Sequence, residues 1–179
     1  MMDESELPRR AAQVRLLLSD VDGVMTDGSL TFDVEGRELK TFNVRDGLGI
    51  KLWRRSAGEF GIITGRSSTI VTKRAEELSL SIVHQGVQDK LPIVRQIAAN
   101  HGMDLAEVAY IGDDLPDLPV VSAVGFGVAV GDACPELLAA ADHTTLLPGG
   151  RGAVRELIET LLRASGRWQL ADAQGLAST

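Results

Sequence analysis

Cysteine is almost absent: Cys134 stands alone in 179 residues, which excludes an internal disulfide framework and a thiolate metal cage. That scarcity suits a reducing compartment, and with no His or Asn partner motif around it Cys134 reads as structural. No apolar run approaches the roughly 20 residues that a membrane helix needs. The opening MMDESELPRR is too polar for a signal peptide. A cytoplasmic location and no membrane partner are therefore expected. Positive charge is also in deficit, with 18 Lys and Arg against 25 Asp and Glu for a net charge of −7. This argues against general affinity for nucleic acid or an anionic membrane. An anionic small molecule is still admissible if a metal and a few placed Lys or Arg residues build a local positive site. Repeats, low-complexity stretches and long linkers are missing as well.

What remains is an ordinary globular composition, 44% hydrophobic and 24% charged, sized for one domain over residues 1–170 with a mobile tail over 171–179. Short apolar runs alternate with helix-period segments. Strands are expected at Val14–Ser19, Glu59–Ile63, Ser81–Val83, Val108–Ile111, Val124–Val128 and His143–Leu146. Helices are expected at Ser67–Leu78, Lys90–His101, Leu115–Ser122 and Ala153–Arg163. The last has the clearest stripe, with Val154, Leu157, Ile158, Leu161 and Leu162 on one face. The alternation predicts an α/β fold, a doubly wound parallel sheet covered on both faces. One segment, about 29–44, breaks it. Leu30, Phe32 and Val34 recur at period two, Glu35-Gly36 offers a turn, and Phe42 and Val44 resume the period, which predicts an inserted β-hairpin too small to act as a cap domain.

Chemistry-bearing residues collect at the carboxyl ends of the expected strands, where open α/β sheets bind ligands. Asp20 and Asp22 in SDVDG leave the first strand on the same side, and two carboxylates that close call for a cation between them. In isolation such a pair is more often a turn with solvated acids. Thr64-Gly65-Arg66 after the next strand offers a hydroxyl, a close backbone approach and an anion fork, yet T-G is commonly just a turn. Lys90 opens a helix before Pro92, where a lone lysine is usually solvated. Asp113, Asp114 and Asp117 crowd five residues after another strand, more acid than a helix N-terminus needs, and suit a hard cation such as magnesium.

Their conjunction in this order is far more specific than any member. Asp20-Val21-Asp22-Gly23, Thr64, Lys90 and Gly112-Asp113-Asp114-Leu115-Pro116-Asp117 resemble the four motifs of the haloacid dehalogenase superfamily of phosphohydrolases. Together with TDG at 26–28, LKTFNVRDGLGI at 39–50 and PGGRGAVRE at 148–156, they resemble its capless sugar-acid phosphatases over roughly residues 14–168. The resemblance implies Mg2+-dependent removal of the terminal phosphate from an eight-carbon 3-deoxy sugar acid, on the path to lipopolysaccharide. It implies catalytic roles for Asp20 as nucleophile, Asp22 as general acid and base, and Thr64 and Lys90 as holders of the phosphoryl oxygens. The metal would be held by Asp20, the Asp22 backbone carbonyl and Asp113. Asp114 and Asp117 would support either the metal or Lys90. Substrate contacts map to Asn43, Val44, Arg45, Asp46, Gly47, Arg66 and Arg74, while Lys51 stands where the family often carries Arg and lacks the guanidinium fork.

Two other readings compete. Nonulosonate 9-phosphate phosphatases share the hairpin, the motifs and the missing cap. A receiver-type phosphoacceptor domain also combines an acid pair, a Thr and a Lys, but its acceptor Asp lies in a later strand. Here an acid cluster follows Lys90 and Asp22 stands ready to hydrolyse an acyl phosphate, which favours turnover over storage. A capless site is open to water, so selecting one sugar acid asks for walls from elsewhere. The resemblance implies a homotetramer built on four hairpins, with Ser165–Trp168 reaching a neighbouring site. The alternative is that Trp168 packs on its own subunit.

Overall fold

The computed structural model describes residues 6–56 and 58–168. An N-terminal helix α1 (Glu6–Gln13) leads into β1 (Leu16–Ser19), whose four residues are all buried. A hairpin of β2 (Thr31–Phe32) and β3 (Glu38–Leu39) follows, then α2 (Val44–Ser56) and β4 (Glu59–Ile63). The chain continues through α3 (Thr69–Glu77), β5 (Ile82–His84), α4 (Lys90–Asn100) and β6 (Val108–Gly112). It closes with the short α5 (Leu118–Val121), β7 (Phe126–Ala129), α6 (Pro135–Ala140), β8 (His143–Thr144) and α7 (Ala153–Ala164).

Six strands form one parallel sheet in the order β5-β4-β1-β6-β7-β8. Because β1 pairs with β4 on one side and β6 on the other, chain direction across the sheet reverses at β1. The crevice beyond its carboxyl end is the switch point where such sheets bind ligands. Leu16, Leu17 and Leu18 are fully buried although they point alternately to opposite faces, so helices cover both. The helices α1 and α2 pack on α7, whose Val154, Leu157, Ile158, Leu161 and Leu162 are all buried, while α4, α5 and α6 form a second packed group. Arg10 fastens α1 to the far edge, donating to both carboxylate oxygens of Asp142 at 2.7 and 2.6 Å and to the Gly125 carbonyl.

The doubly wound sheet, the inserted hairpin and the lack of a cap among the described residues agree with the sequence reading. Several boundaries differ. The hairpin turns at Asp33–Arg37, where the Asp33 carboxylate accepts from the Glu35 and Arg37 amides, and its second strand lies at Glu38–Leu39, ahead of Phe42 and Val44. Val44 instead opens α2, which carries no apolar stripe because Asp46, Gly47 and Gly49 occupy buried positions. The expected helix at Leu115–Ser122 divides into a 3₁₀ turn (Leu115–Asp117) and α5. Among the described residues no helix is long and apolar enough to cross a membrane. The expected tail over 171–179 lies outside the described residues.

Candidate active site

Asp20 is the first residue beyond β1, held in line by its amide on the Ile111 carbonyl at 3.1 Å. Its Oδ1 accepts from the Val21 amide at 2.6 Å and its Oδ2 faces the Lys90 ammonium at 2.7 Å. Lys90 begins α4 and is only 2% exposed, a cost that is offset only by pairing. Besides Asp20 it donates to Asp117 Oδ1 at 2.6 Å and to the Tyr110 hydroxyl at 3.2 Å. Burial alone would pull Lys90 down, but Asp20 and Asp117 outweigh it and hold the ammonium above its ordinary pKa. Tyr110 lies wholly inside β6. Burial and then the charge of Asp117 push its phenol well above the usual range, so it stays a neutral donor to Asp117 at 2.6 Å.

Asp113 follows β6 across the cleft. Its approach depends on Gly23, which has φ +87°, because a Cβ there would lie 2.0 Å from Asp113 Oδ2. Burial, then the charges of Asp117 and Asp20, raise the Asp113 carboxyl to about 7. Burial and Asp117 likewise raise Asp20 to about 6 against the opposing pull of Lys90. Carboxylate oxygens of Asp20, Asp113 and Asp117 lie within 4.8 Å of one another, a hard oxygen set suited to a divalent cation. Asp117 is already committed, since Lys90 and Tyr110 donate to Oδ1 and the Asp113 amide donates to Oδ2 at 3.0 Å. Asp20 has one donor on each oxygen, against three on Asp117, so Asp20 and Asp113 are the less encumbered pair for an ion. The Asp22 carbonyl accepts no backbone hydrogen bond among the described residues and is available as a third oxygen.

Asp22 turns its side chain the other way, to Lys40 at the base of the hairpin and, at 3.7 Å, to Arg66 Nε. Thr64 is buried after β4, its amide bonded to the His84 carbonyl at 2.9 Å and its own carbonyl accepting from Val87 at 3.0 Å. Asp20, Asp22, Thr64, Arg66, Lys90, Asp113, Asp114 and Asp117 all line one cavity of about 260 Å³. Asp114 serves locally, its carboxylate accepting from the Leu115 amide at 2.8 Å to start the 3₁₀ turn.

The other expected substrate contacts sit elsewhere in this chain. Val44, Gly47 and Arg74, with Lys51, line a separate hollow of about 230 Å³ between α2 and α3. Arg74 lies over the Phe42 ring and donates to Glu77 at 2.8 Å. Asn43 Oδ1 accepts from the Arg45 amide at 2.9 Å and starts α2. Asp46 is 2% exposed and accepts from the Arg155 amide at 2.8 Å, so it caps α7 from the neighbouring helix. Of the substrate group only Arg66 shares the cavity with the acids. Trp168 packs on its own subunit, its ring 4.5 Å from the Arg163 guanidinium and 5.5 Å from that of Arg155, and Arg167 lies over Trp53. Within the single chain, Gly166, at φ +70°, turns the backbone where three arginines meet two indoles.

Three residues around the cavity went unread in the sequence. Tyr110 resembles core in VAYIG, and Glu38 and Lys40 resemble the wet face of a hairpin. Only the hydroxyl inside an apolar strand, just ahead of the acid cluster, gave any signal.

A carboxylate at the switch point, a second acid two residues on and a buried lysine opposite give a polar cleft of the kind that phosphohydrolases use. The sequence pattern of the haloacid dehalogenase-like hydrolases matches residues 58–156. A 3-deoxy-D-manno-octulosonate 8-phosphate phosphatase, KdsC, of Yersinia pestis is 46% identical over 169 residues, covering 94% of this chain and 89% of that protein. The Escherichia coli (strain B / BL21-DE3) KdsC is 42% identical over 96% of this chain and 92% of its own. The crystal structure of the Moraxella catarrhalis enzyme, in complex with magnesium, phosphate and KDO, superposes with a TM-score of 0.93 at 41% identity, covering 96% and 99% of the two chains. The chain belongs to the haloacid dehalogenase-like hydrolases and, within them, to the family of 3-deoxy-D-manno-octulosonate 8-phosphate phosphatases.

Proposed function

We propose that this chain hydrolyses 3-deoxy-D-manno-octulosonate 8-phosphate to the free sugar acid and phosphate through an aspartyl phosphate on Asp20, in lipopolysaccharide precursor synthesis. The observation that carries the reading is the meeting of Asp20, Asp22, Thr64, Lys90 and Asp113 around one cavity at the end of β1. Asp20 Oδ2 attacks phosphorus while Asp22 protonates the departing sugar oxygen, and Asp22 then takes a proton from the water that hydrolyses the acyl phosphate. Lys90 and the Thr64 hydroxyl hold the phosphoryl oxygens, and Asp117 with Tyr110 keeps Lys90 in place. Asp20, Asp113 and the Asp22 carbonyl would hold magnesium, which when bound offsets the repulsion between the carboxylates and the phosphate dianion.

The hollow at Val44, Gly47 and Arg74 supports a second part of the reading. These residues stand apart from their own cavity, so we assign them to wall a neighbour's site within a homotetramer. The exposed Leu30, Phe32, Val34 and Leu39 of the hairpin supply the apolar contact for such an assembly. The single cysteine fits a cytoplasmic location.

The test compares turnover of the eight-carbon 8-phosphate with that of a nine-carbon nonulosonate 9-phosphate, for the wild type and Asp20→Asn. The eight-carbon substrate should be preferred and the variant should lose at least about 1,000-fold in kcat, since the amide keeps the shape but is a poor nucleophile. Preference for the nine-carbon ester would move the protein to the nonulosonate phosphatases. Near-normal turnover by Asp20→Asn would refute the covalent mechanism.

A further inference from the structure

The base of the hairpin carries a buried cation that the reaction as described does not use. Lys40 follows β3 directly, and its side chain is 1% exposed on a segment whose residues are otherwise largely open to water. An ammonium held that dry is tolerated only with charged partners. Lys40 has two, the Asp22 carboxylate through Oδ1 and Glu38 Oε1 at 3.4 Å. Glu38 is itself fixed, its Oε1 accepting from Arg66 at 2.7 Å and its Oε2 from the Ser68 hydroxyl, the cap of α3, at 2.9 Å. The Ser68 bond and Arg66 hold Glu38 below its ordinary pKa, so it stays ionised. The lysine is therefore braced from behind, and the one movable group it meets in front is Asp22.

Asp22 lines the cavity and Lys40 does not. The two oxygens of Asp22 are unequal: Oδ1 is taken by Lys40, while Oδ2 is buried without a hydrogen bond and faces the Arg66 Nε at 3.7 Å, beyond hydrogen-bond reach. A buried acceptor without a hydrogen bond is costly, and such atoms mark places where a group is kept ready for something else. We propose that Lys40 is a positioning residue for the general acid, fixing the rotation of the Asp22 carboxyl so that Oδ2 presents to the leaving oxygen of the substrate. The proposal rests on the phosphatase reading of Asp22. As the bond from Asp20 to phosphorus forms and the bond from phosphorus to the sugar oxygen breaks, the released electron pair stays on that oxygen, which takes the proton from Asp22 Oδ2. In the second half, water attacks phosphorus and gives its proton back to Asp22, and the acyl bond opens to restore the Asp20 carboxylate. Lys40 gains and loses nothing in either half; it sets direction.

Leaving-group chemistry separates this role from a structural one. An alkyl sugar oxygen needs a proton to depart, whereas p-nitrophenolate does not. Lys40→Met should lower kcat on the sugar-acid phosphate by about 100-fold with little change in KM, and lower kcat on p-nitrophenyl phosphate by no more than about fivefold. In a cycle with Asp22→Asn, the double variant should be no slower on the sugar ester than Asp22→Asn alone. Lys40→Gln, whose amide still donates, should recover part of the loss, and it keeps the contrast measurable if the Met variant fails to fold. Equal losses on the two leaving groups, or additive effects in the cycle, would overturn the proposal. If the wild type ignores the octulosonate ester, the substrate reading fails, and the same contrast is then read on whichever primary alkyl phosphate it accepts.

Discussion

At the scale of single residues, the site is a problem of crowded negative charge. Asp20, Asp113 and Asp117 are brought within 4.8 Å of one another, and Lys90 pairs with Asp20 and Asp117. Their protons are the consequence: the carboxyl of Asp113 is raised to about 7 and that of Asp20 to about 6. Magnesium binds the deprotonated forms, so protons compete with it below those values. Stabilisation by a fixed excess of magnesium should therefore grow as pH rises from 5.5 to 8, by up to ~1.4 kcal/mol per pH unit for each proton displaced. Calorimetric melting with and without the ion measures it, and Asp113→Asn should flatten the dependence. A shift independent of pH in the wild type would remove Asp113 from the ligand set. These acids were legible in the sequence because they cluster just after strands in an order that resembles the family's motifs. Lys40 and Tyr110 were not, since each becomes functional only through a partner 18 or 7 residues away.

At the scale of elements, the strands declared themselves and α2 did not. A parallel strand buried on both faces is a short apolar run, as in Leu16–Leu18 or Ile62–Ile63, and α7 has an unbroken stripe. The inward face of α2 has Asp46, Gly47 and Gly49 where a pattern would need large apolar residues. A Cβ at Gly47 would sit 2.5 Å from Arg74 Nη2, and one at Gly49 would sit 3.2 Å from the Arg155 Cα, so close approach has replaced hydrophobic packing. Asp46 then does for α7 what a local cap residue does elsewhere, because Gly152 at its N-cap offers no side chain. That cap is pH-dependent. Burial raises the Asp46 carboxyl from 3.8 to about 6 despite the Arg155 amide and the nearby Arg45 and Arg74. A raised value favours the neutral form in the folded state, so its contribution is complete below the unfolded value and is lost as pH climbs through about 6. The fall is ~3 kcal/mol between pH 4 and 7. Asp46→Asn keeps an acceptor without the charge, so its urea stability in metal-free buffer should decline less over that range. Parallel profiles for the two proteins would show that Asp46 does not carry this charge cost.

At the scale of the whole molecule, the residues that the sequence assigns to the substrate are divided between two hollows. Arg66 faces the acids, while Val44, Gly47 and Arg74 line a hollow of their own. In the proposed homotetramer a neighbouring chain would complete the walls around the sugar. The hairpin answers this division. Leu30 and Phe32 flank Thr31 on the first strand and Val34 follows in the turn, and they are 53%, 56% and 104% exposed, too much apolar surface for a two-stranded ribbon to leave in water. On the second strand of the same hairpin Glu38 stands opposite Phe32, and Lys40, just beyond that strand, pairs with Asp22 and Glu38. The proposed assembly contact and the Lys40–Asp22 pair thus share one small element. Substituting Phe32 and Val34 together with Asp should disperse the assembly, since charge burial would replace apolar contact, while the strand that bears Glu38 and Lys40 is left intact. Light scattering should find four 19.1 kDa chains in the wild type and fewer in the double variant. Hydrolysis of p-nitrophenyl phosphate should fall only a few-fold, and turnover of the octulosonate ester should fall by about 100-fold or more through KM, because the walls around the sugar are lost while the phosphoryl site is not. A monomeric wild type, or a dispersed variant with unchanged KM for the sugar ester, would place the missing walls within the single chain.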